Sequence, residues 1–321
     1  MDPFTLDFEI PVKVLENQIE ELKEASTRNK GIDVSNEIKS LEKKVSQLIK
    51  EIYGNLSSWE KVKLSRHPNR PHAKDYIKKI FTDFHELHGD RKFADDPSVI
   101  CGFGKIEEQK VAIIGIEKGR KTNEKIHHNF GMPRPEGYRK AWRIMEMASR
   151  FSIPIITLID TPGAYPGIGA EERGQAAAIA ENIQNMFELS VPVIGVIIGE
   201  GGSGGALGLA IVDRLLMMEY ATYSVISPES CASILWADPK MANTAANSLQ
   251  LGAHKALELK VADELISEPP GGAHRDIDQA ATSLKEAILN NLNELKTFPP
   301  EELKSKKYLK YRLMGNNTLV D

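Results

Sequence analysis

Gly199, Gly201, Gly202, Gly204 and Gly205 place five glycines in seven positions, after the apolar run 193–198 and ahead of residues 209–212, which read as an apolar helix. Such a segment offers a ligand backbone N–H groups in place of side chains. Glycine lets the ligand come close, and a helix N-terminus adds unpaired donors and the positive end of a dipole, a combination suited to holding an oxyanion. A tight packing turn would explain one or two of these glycines, not five.

Two other chemistries fit the same letters. Gly199-x-Gly201-x-x-Gly204 follows the dinucleotide fingerprint, with Glu219 at the acidic position, although the run comes after several strands instead of opening the fold. Gly201-x-Ser203-x-Gly205 follows the nucleophile elbow of hydrolases, with Asp213 or Asp238 and then His254 or His274 downstream in the required order. A second loop, Asp160-Thr161-Pro162-Gly163-Ala164-Tyr165-Pro166-Gly167, also ends a buried strand, where α/β sheets place ligands. Two such loops after successive parallel strands would line one crevice from both sides. The second loop opens like the DxxG of nucleotide switches, but the sequence contains no GxxxxGK[ST], which excludes a P-loop enzyme. Between His128 and His254 there is no histidine, so the usual general base is missing from the neighbourhood of the glycines. His85 and His88 miss the HExxH spacing, the adjacent His127 and His128 cannot face one metal from a helix, and no metal site is expected.

The elements that must position these loops are short apolar strands at 111–116, 155–159, 193–198 and 215–218, alternating with helical periodicity at 137–151 and 171–189, an α/β pattern. Helices over 276–295 and 300–314, the latter started by Pro299-Pro300, close the chain. Ahead of the strands, Val12, Leu15, Ile19 and Leu22, then Ile38, Leu41, Val45, Leu48 and Ile52, mark two amphipathic helices. Asn29-Lys30-Gly31 breaks the first, Asp33 or Ser35 can cap the second, and Gly54 ends it. The expected division is a packing hairpin over 1–54, whose residues 1–5 read as vector-derived, and a main domain over 55–321. Residues 61–79 carry seven basic side chains against Asp75 alone, most simply a solvated face, with an acidic partner or nucleotide-like phosphates as the functional alternative.

The whole chain has 321 residues, 41% hydrophobic and 27% charged, with a formal net charge of -4, values that exclude a disordered chain and a global basic field for nucleic acid. Cys101 and Cys231 are too few for a four-ligand zinc site and point to a reducing, cytoplasmic setting. The longest apolar runs are too short to span a membrane.

Several blocks taken together are specific. Asn129-Phe130-Gly131-Met132, Pro135-Glu136-Gly137-Tyr138-Arg139-Lys140-Ala141, the two loops, Glu171-Glu172-Arg173-Gly174-Gln175, Tyr223-Ser224-Val225-Ile226-Ser227-Pro228-Glu229 and Gly271-Gly272-Ala273-His274 resemble, in order, the carboxyltransferase alpha subunits of bacterial multisubunit acetyl-CoA carboxylases. The resemblance implies a crotonase-type (ClpP/crotonase) α/β spiral of ββα units, with the N-terminal helical hairpin and the C-terminal helices added. It implies transfer of a carboxyl group from carboxybiotin, on the biotin carboxyl carrier protein, to acetyl-CoA, giving malonyl-CoA for fatty acid synthesis. The backbone N–H groups of Gly204, Gly205 and Ala206 would polarise the biotin ureido carbonyl, with Gly163, Ala164, Tyr165, Pro166, Gly167, Gly201, Gly202 and Ser203 lining the substrate. A beta subunit would supply the thioester's oxyanion hole and a four-cysteine zinc ribbon, so zinc is expected there only. The implied assembly is α2β2, with biotin carboxylase in the wider complex. In the implied reaction a biotin anion, left when CO2 departs in a dry cleft, takes the proton of the acetyl methyl group, so no side-chain base is required. Ser203 is then a spacer and Asp160 an anchor of its turn. Beside this stand a serine hydrolase using Ser203 and a non-catalytic scaffold subunit of a biotin-dependent decarboxylase.

Overall fold

The strands that carry the two loops lie side by side in one sheet. The computed structural model describes residues 4–28 and 34–315. Its strands are β1 (Thr82–Glu86), β2 (Val99–Ile106), β3 (Gln109–Ile116), β4 (Ile155–Thr161), β5 (Val193–Gly202), β6 (Arg214–Met218), β7 (Thr222–Ser224) and β8 (Glu264–Ile266). They form one sheet in the order β1-β2-β3-β4-β5-β6-β8, with β7 paired to the end of β5. The first three are antiparallel and the rest of the path is parallel. Every residue of β4 is buried, and every residue of β5 but the last. Successive side chains point to opposite faces, so both faces of the sheet centre are covered, as parallel strands require. Helices Pro135–Arg150, Gln175–Phe187, Ala73–Ile80 and Ile277–Leu295 provide that cover.

Register brings the loops together. Ile155 pairs with Val193 at one end of β4 and β5, and after an irregularity Thr161 pairs with Gly201 at the other. Gly201 and Gly202 also pair with Tyr223 and Ser224 of β7, so the start of the glycine run is held from two sides.

The two N-terminal helices, Ile10–Arg28 and Ser35–Gly54, are antiparallel, with Lys23 bridging to Glu42 at 3.1 Å. Their inner side chains Val12, Ile49 and Tyr53 are buried with Leu56 and Leu64 and pack on Tyr220 of the main body. A polar latch completes the docking. The buried Glu9 carboxylate accepts hydrogen bonds from Tyr53 Oη, from His274 Nε2 (3.1 Å) and from the Leu6 N–H (2.9 Å). Burial alone would raise the Glu9 carboxyl, but these bonds outweigh it and hold it at about 2. His67 stacks on His274 with ring centres 4.0 Å apart. Its Nδ1 accepts from the Asn69 N–H, so the proton sits on Nε2 and is donated to the Phe4 carbonyl at 3.0 Å. The ligating atoms of Glu9, His67 and His274 all lie within 4.8 Å of one another, but each is engaged in this latch.

At the other end of the chain, helix Pro300–Leu313 buries Lys307, which donates to the Met186 carbonyl at 3.1 Å. Tyr311 donates to the Ala210 carbonyl at 2.7 Å and accepts the Val212 N–H at 2.9 Å, tying this helix to the chain just beyond the glycine run.

Several expectations need correction. Residues 209–212 are not helical; the helix is Ser203–Leu207, inside the glycine run itself. Packing of the glycine backbone against neighbouring main chain overrides low helix propensity there. The periodicity over 171–189 divides into Ile168–Glu172 and Gln175–Phe187, because Gly174 adopts a left-handed φ of 84°. Ser35 does not cap the second hairpin helix but is its first residue, preceded by Val34 at the N-cap. Asn29, Lys30, Gly31 and Asp33, and Met1, Asp2 and Pro3 of the opening stretch, lie outside the described residues. The basic stretch is largely drawn into the fold: Lys63 pairs with Asp7, Arg66 with Glu200 and Glu229, Arg70 with Glu268, and Lys79 with Asp278. No described helix is long and apolar enough to cross a membrane.

Candidate active site

The two loops meet backbone against backbone. A Cβ on Gly205 would stand 2.4 Å from the Gly163 carbonyl carbon and 2.5 Å from the Ala164 nitrogen, and one on Gly202 would stand 2.3 Å from the Pro162 carbonyl oxygen. Only glycine fits at these two contacts. Helix Ser203–Leu207 follows an N-cap at Gly202, so the amides of its first three residues, Ser203, Gly204 and Gly205, have no intrahelical acceptor, whereas the Ala206 amide expected beside them in the oxyanion hole falls at the first position that has one. Ala206 is buried and seats the helix. Ser203 holds a left-handed φ of 51°, a strain confined to the turn where the strand becomes the helix.

The supports of this turn are polar and buried. Tyr138 Oη donates to the Gly205 carbonyl at 3.1 Å, and burial pushes the phenol upward, so it stays protonated. Asn182 Nδ2 donates to the Tyr138 carbonyl at 3.1 Å and to the Gly208 carbonyl at 3.2 Å. On the second loop, Thr161 Oγ1 donates to the Gly163 carbonyl and accepts its N–H. The Tyr165 N–H donates to the Pro133 carbonyl, Gln175 Nε2 donates to the carbonyls of Pro133 and Tyr165, and the Arg134 guanidinium lies 4.9 Å from the Tyr165 ring centre. Gly163, Ala164, Tyr165 and Gly167 are half-buried and Pro166 is exposed. Beside the helix opens a mainly apolar cleft of about 310 Å³, lined by Ser203, Gly204, Leu207, Tyr223, Ser224, Val225 and Val261.

Beneath both loops runs a chain of charges. Lys118, just beyond β3, places its ammonium 2.7 Å from Asp160 Oδ1 and 2.8 Å from Glu200 Oε2. Asp160 Oδ1 also accepts the Glu200 N–H at 2.9 Å. Arg66 takes the other Glu200 oxygen and reaches Glu229. Burial works to raise the Glu200 carboxyl, but the Lys118 ammonium and the Arg66 guanidinium outweigh it and hold it at about 2.

No triad forms around Ser203. His274 is held by Glu9, Asp213 accepts the Val193 N–H and faces Lys307, and Asp238 caps its own turn through the Lys240 N–H. Among the described residues no hydrogen bond joins His254 to Ser203. The dinucleotide reading fares no better, since Glu219 spends its carboxylate on the Glu268 N–H and the helix after the glycines has five residues.

Residues 5–315 match the family model described as acetyl co-enzyme A carboxylase carboxyltransferase-like. The chain belongs to this family. Among its relatives, the acetyl-coenzyme A carboxylase carboxyl transferase subunit alpha of Methylococcus capsulatus is 53% identical over 315 residues, covering 98% of this chain and 97% of the relative. That of Thermus thermophilus is 52% identical over 310 residues, covering 97% and 98%. In three dimensions this carboxyltransferase resembles the transcarboxylase 12S core at a TM-score of 0.58 and 18% identity, over 71% of this chain and 42% of that one. It resembles the geranyl-CoA carboxylase beta subunit of P. aeruginosa at 0.55 and 18%, over 76% and 46%. The chain thus spans less than half of those solved chains, and the likeness establishes the crotonase-type fold expected from the sequence motifs.

For this carboxyltransferase, the sequence motifs marked the two loops but not what holds them. Tyr138, Asn182, Lys118 and Arg66 act across separations of up to 163 residues, which no local pattern reports. One signal was available: a lysine in the middle of Glu117-Lys118-Gly119, just after the apolar run 111–116, must find a carboxylate if that run is buried.

Proposed function

We propose that the chain works as the alpha half of the carboxyltransferase of acetyl-CoA carboxylase, moving a carboxyl group from carrier-bound carboxybiotin to acetyl-CoA to give malonyl-CoA. The observation that carries the reading is the backbone contact of Gly205 with Gly163 and Ala164, which fuses two loops into one amide-lined turn beside an apolar cleft. The unpaired N–H groups of Gly204 and Gly205 hold the ureido oxygen, while Ala206 seats the helix and Gly201, Gly202 and Ser203 set its start. Gly163, Ala164, Tyr165, Pro166 and Gly167 form the facing wall. The lining fits an uncharged bicyclic ring with one polar carbonyl. Carboxybiotin, when presented, supplies the CO2 unit and a ureido oxygen able to carry negative charge. This chain's own contribution is to orient that oxygen, to exclude water with Leu207, Val225 and Val261, and to stabilise the charge with fixed dipoles.

The thioester of acetyl-CoA is held by a beta subunit that completes the site and carries any zinc, in an α2β2 assembly served by the biotin carboxyl carrier protein and biotin carboxylase in the cytoplasm. The hairpin is a packing appendage of this half. The deciding experiment is the reverse reaction, malonyl-CoA plus a soluble biotin analogue giving acetyl-CoA, with the chain alone and with its beta subunit. Turnover only in the mixture supports the shared site. A stable mixed complex with no turnover favours a non-catalytic scaffold, and full turnover by the chain alone removes the shared site.

A further inference from the structure

Lys118 stands where the two loops begin. Asp160 is the penultimate residue of β4, Glu200 is the third from last of β5, and the ammonium touches both carboxylates at 2.7 and 2.8 Å. Two acids so placed, with side chains 3% and 11% exposed, would repel each other across a poorly solvated gap if nothing lay between them. Lys118 and the Asp160 to Glu200 N–H bond turn that repulsion into a fixed joint.

The stem of Lys118 is seated by a strained turn. Asn129, Phe130 and Gly131 are left-handed in succession, with φ of 47°, 56° and 75°. Asparagine and glycine tolerate this; a bulky residue such as phenylalanine rarely does, and such strain persists only where the surroundings impose it. The turn lays Gly131 on the lysine: a Cβ there would stand 2.5 Å from Lys118 Cγ and 3.2 Å from the Asp160 carbonyl oxygen.

We infer that Lys118 is a positioning residue for carboxyl transfer, joining the ends of β4 and β5 so that the Gly163–Ala164 and Gly204–Gly205 backbones keep one relative placement, and that the Asn129–Gly131 turn exists to seat it. Arg66 extends the joint from Glu200 to Glu229, at the start of helix Pro228–Trp236. Lys118 is not the missing base. The Asp160 and Glu200 charges overcome burial and raise its pKa, so it keeps its proton. The inference rests on the proposed role of the loops for its effect on turnover, but not for its effect on structure.

The test therefore has two readouts in the complex with the beta subunit, hydrogen–deuterium exchange and steady-state kinetics. In Lys118→Met, exchange should quicken roughly tenfold in both segments 160–167 and 199–208 while the sheet centre stays protected. The kcat should fall by about 10²-fold with the KM for malonyl-CoA little changed, the size of loss expected when reacting groups are displaced by about 1 Å. Lys118→Arg should restore protection in both segments and part of kcat. Gly131→Ala, which pushes the lysine stem without removing its charge, should loosen the same two segments and serves if Lys118→Met does not fold. Unchanged exchange in either segment, or loosening spread over the whole chain, overturns the inference. Loosening of both segments with unchanged turnover leaves the joint standing and removes the catalytic role proposed for the loops.

Discussion

Gly205 and Ser203 sit two residues apart on one five-residue helix, yet they should respond to substitution in opposite ways. Gly205→Val drives a branched side chain into the Gly163–Ala164 backbone, where even a Cβ would stand at 2.4 Å. The loops must part, and at least one amide donor is lost, which costs ~2.7–4 kcal/mol of transition-state stabilisation per donor. Ser203→Ala removes a hydroxyl that no base approaches. It should leave turnover of the α–β complex within a few-fold of the parent, whereas loss of a true nucleophile costs about 10³-fold or more. Paired rate measurements on these two variants separate the amide site from the hydrolase. If Ser203→Ala were the inactive one, the oxyanion assignment would have to be abandoned. Letter patterns alone could not make this choice, because the elbow and the amide turn share Gly201, Ser203 and Gly205. What separates them is where His254, His274 and Asp213 end up.

The same divide between pattern and packing runs through the elements. Apolar runs located β3, β4, β5 and β6 because those strands are buried on both faces, and 3.6-residue periodicity located the hairpin and the helices after β3 and β4. β1 was invisible: Thr82, Asp83, Phe84, His85 and Glu86 form a largely exposed edge strand that carries no apolar alternation. β7 and β8 are three residues each and exist through their partners in the sheet. Likewise, the hairpin was legible but its latch was not, because Glu9 and His274 are 265 positions apart. That latch carries a prediction about pH. Glu9 ordinarily titrates at 4.5 and in the folded chain is held at about 2. A depressed carboxylate stabilises the fold fully above its unfolded pKa and loses that contribution as pH falls through the folded value, here from 4.5 down to about 2. Glu9→Gln removes the charged acceptor and should destabilise the chain by about 1.5–3 kcal/mol at pH 7. In urea unfolding the gap to the parent should shrink at pH 3. A gap as wide at pH 3 as at pH 7 would mean that hairpin docking owes nothing to the Glu9 charge.

At the scale of the whole molecule, the proposed function makes the amide turn one wall of a site completed by a second chain. Val225 lines the cleft beside it and is 76% exposed, and the helix Pro228–Trp236, which begins three residues later, carries Ile234 and Leu235 at 72% and 65% exposure. Under the proposed function these exposed apolar side chains are the surface that the beta subunit would cover. This helix is not free to drift, because Arg66 ties Glu229 in its first turn to Glu200 beneath the glycine run. A partner that settled on Ile234 and Leu235 would therefore be fixed relative to the amides of Gly204 and Gly205, which is what a site shared between two chains needs. Leu235→Glu tests this without touching the turn. As a change at an exposed position it should alter the stability of the isolated chain by no more than about 0.5 kcal/mol. Burying an unpaired carboxylate at an interface costs several kcal/mol, so the mixed complex should weaken by about 10²-fold or more and turnover should fall with it. Titrating the beta subunit against the variant and following both association and the reverse reaction gives the answer. If turnover recovers at high beta concentration, the residue serves assembly alone. If association and turnover both match the parent, the beta subunit docks on another face and the cleft beside Val225 is not where the two halves of the site meet.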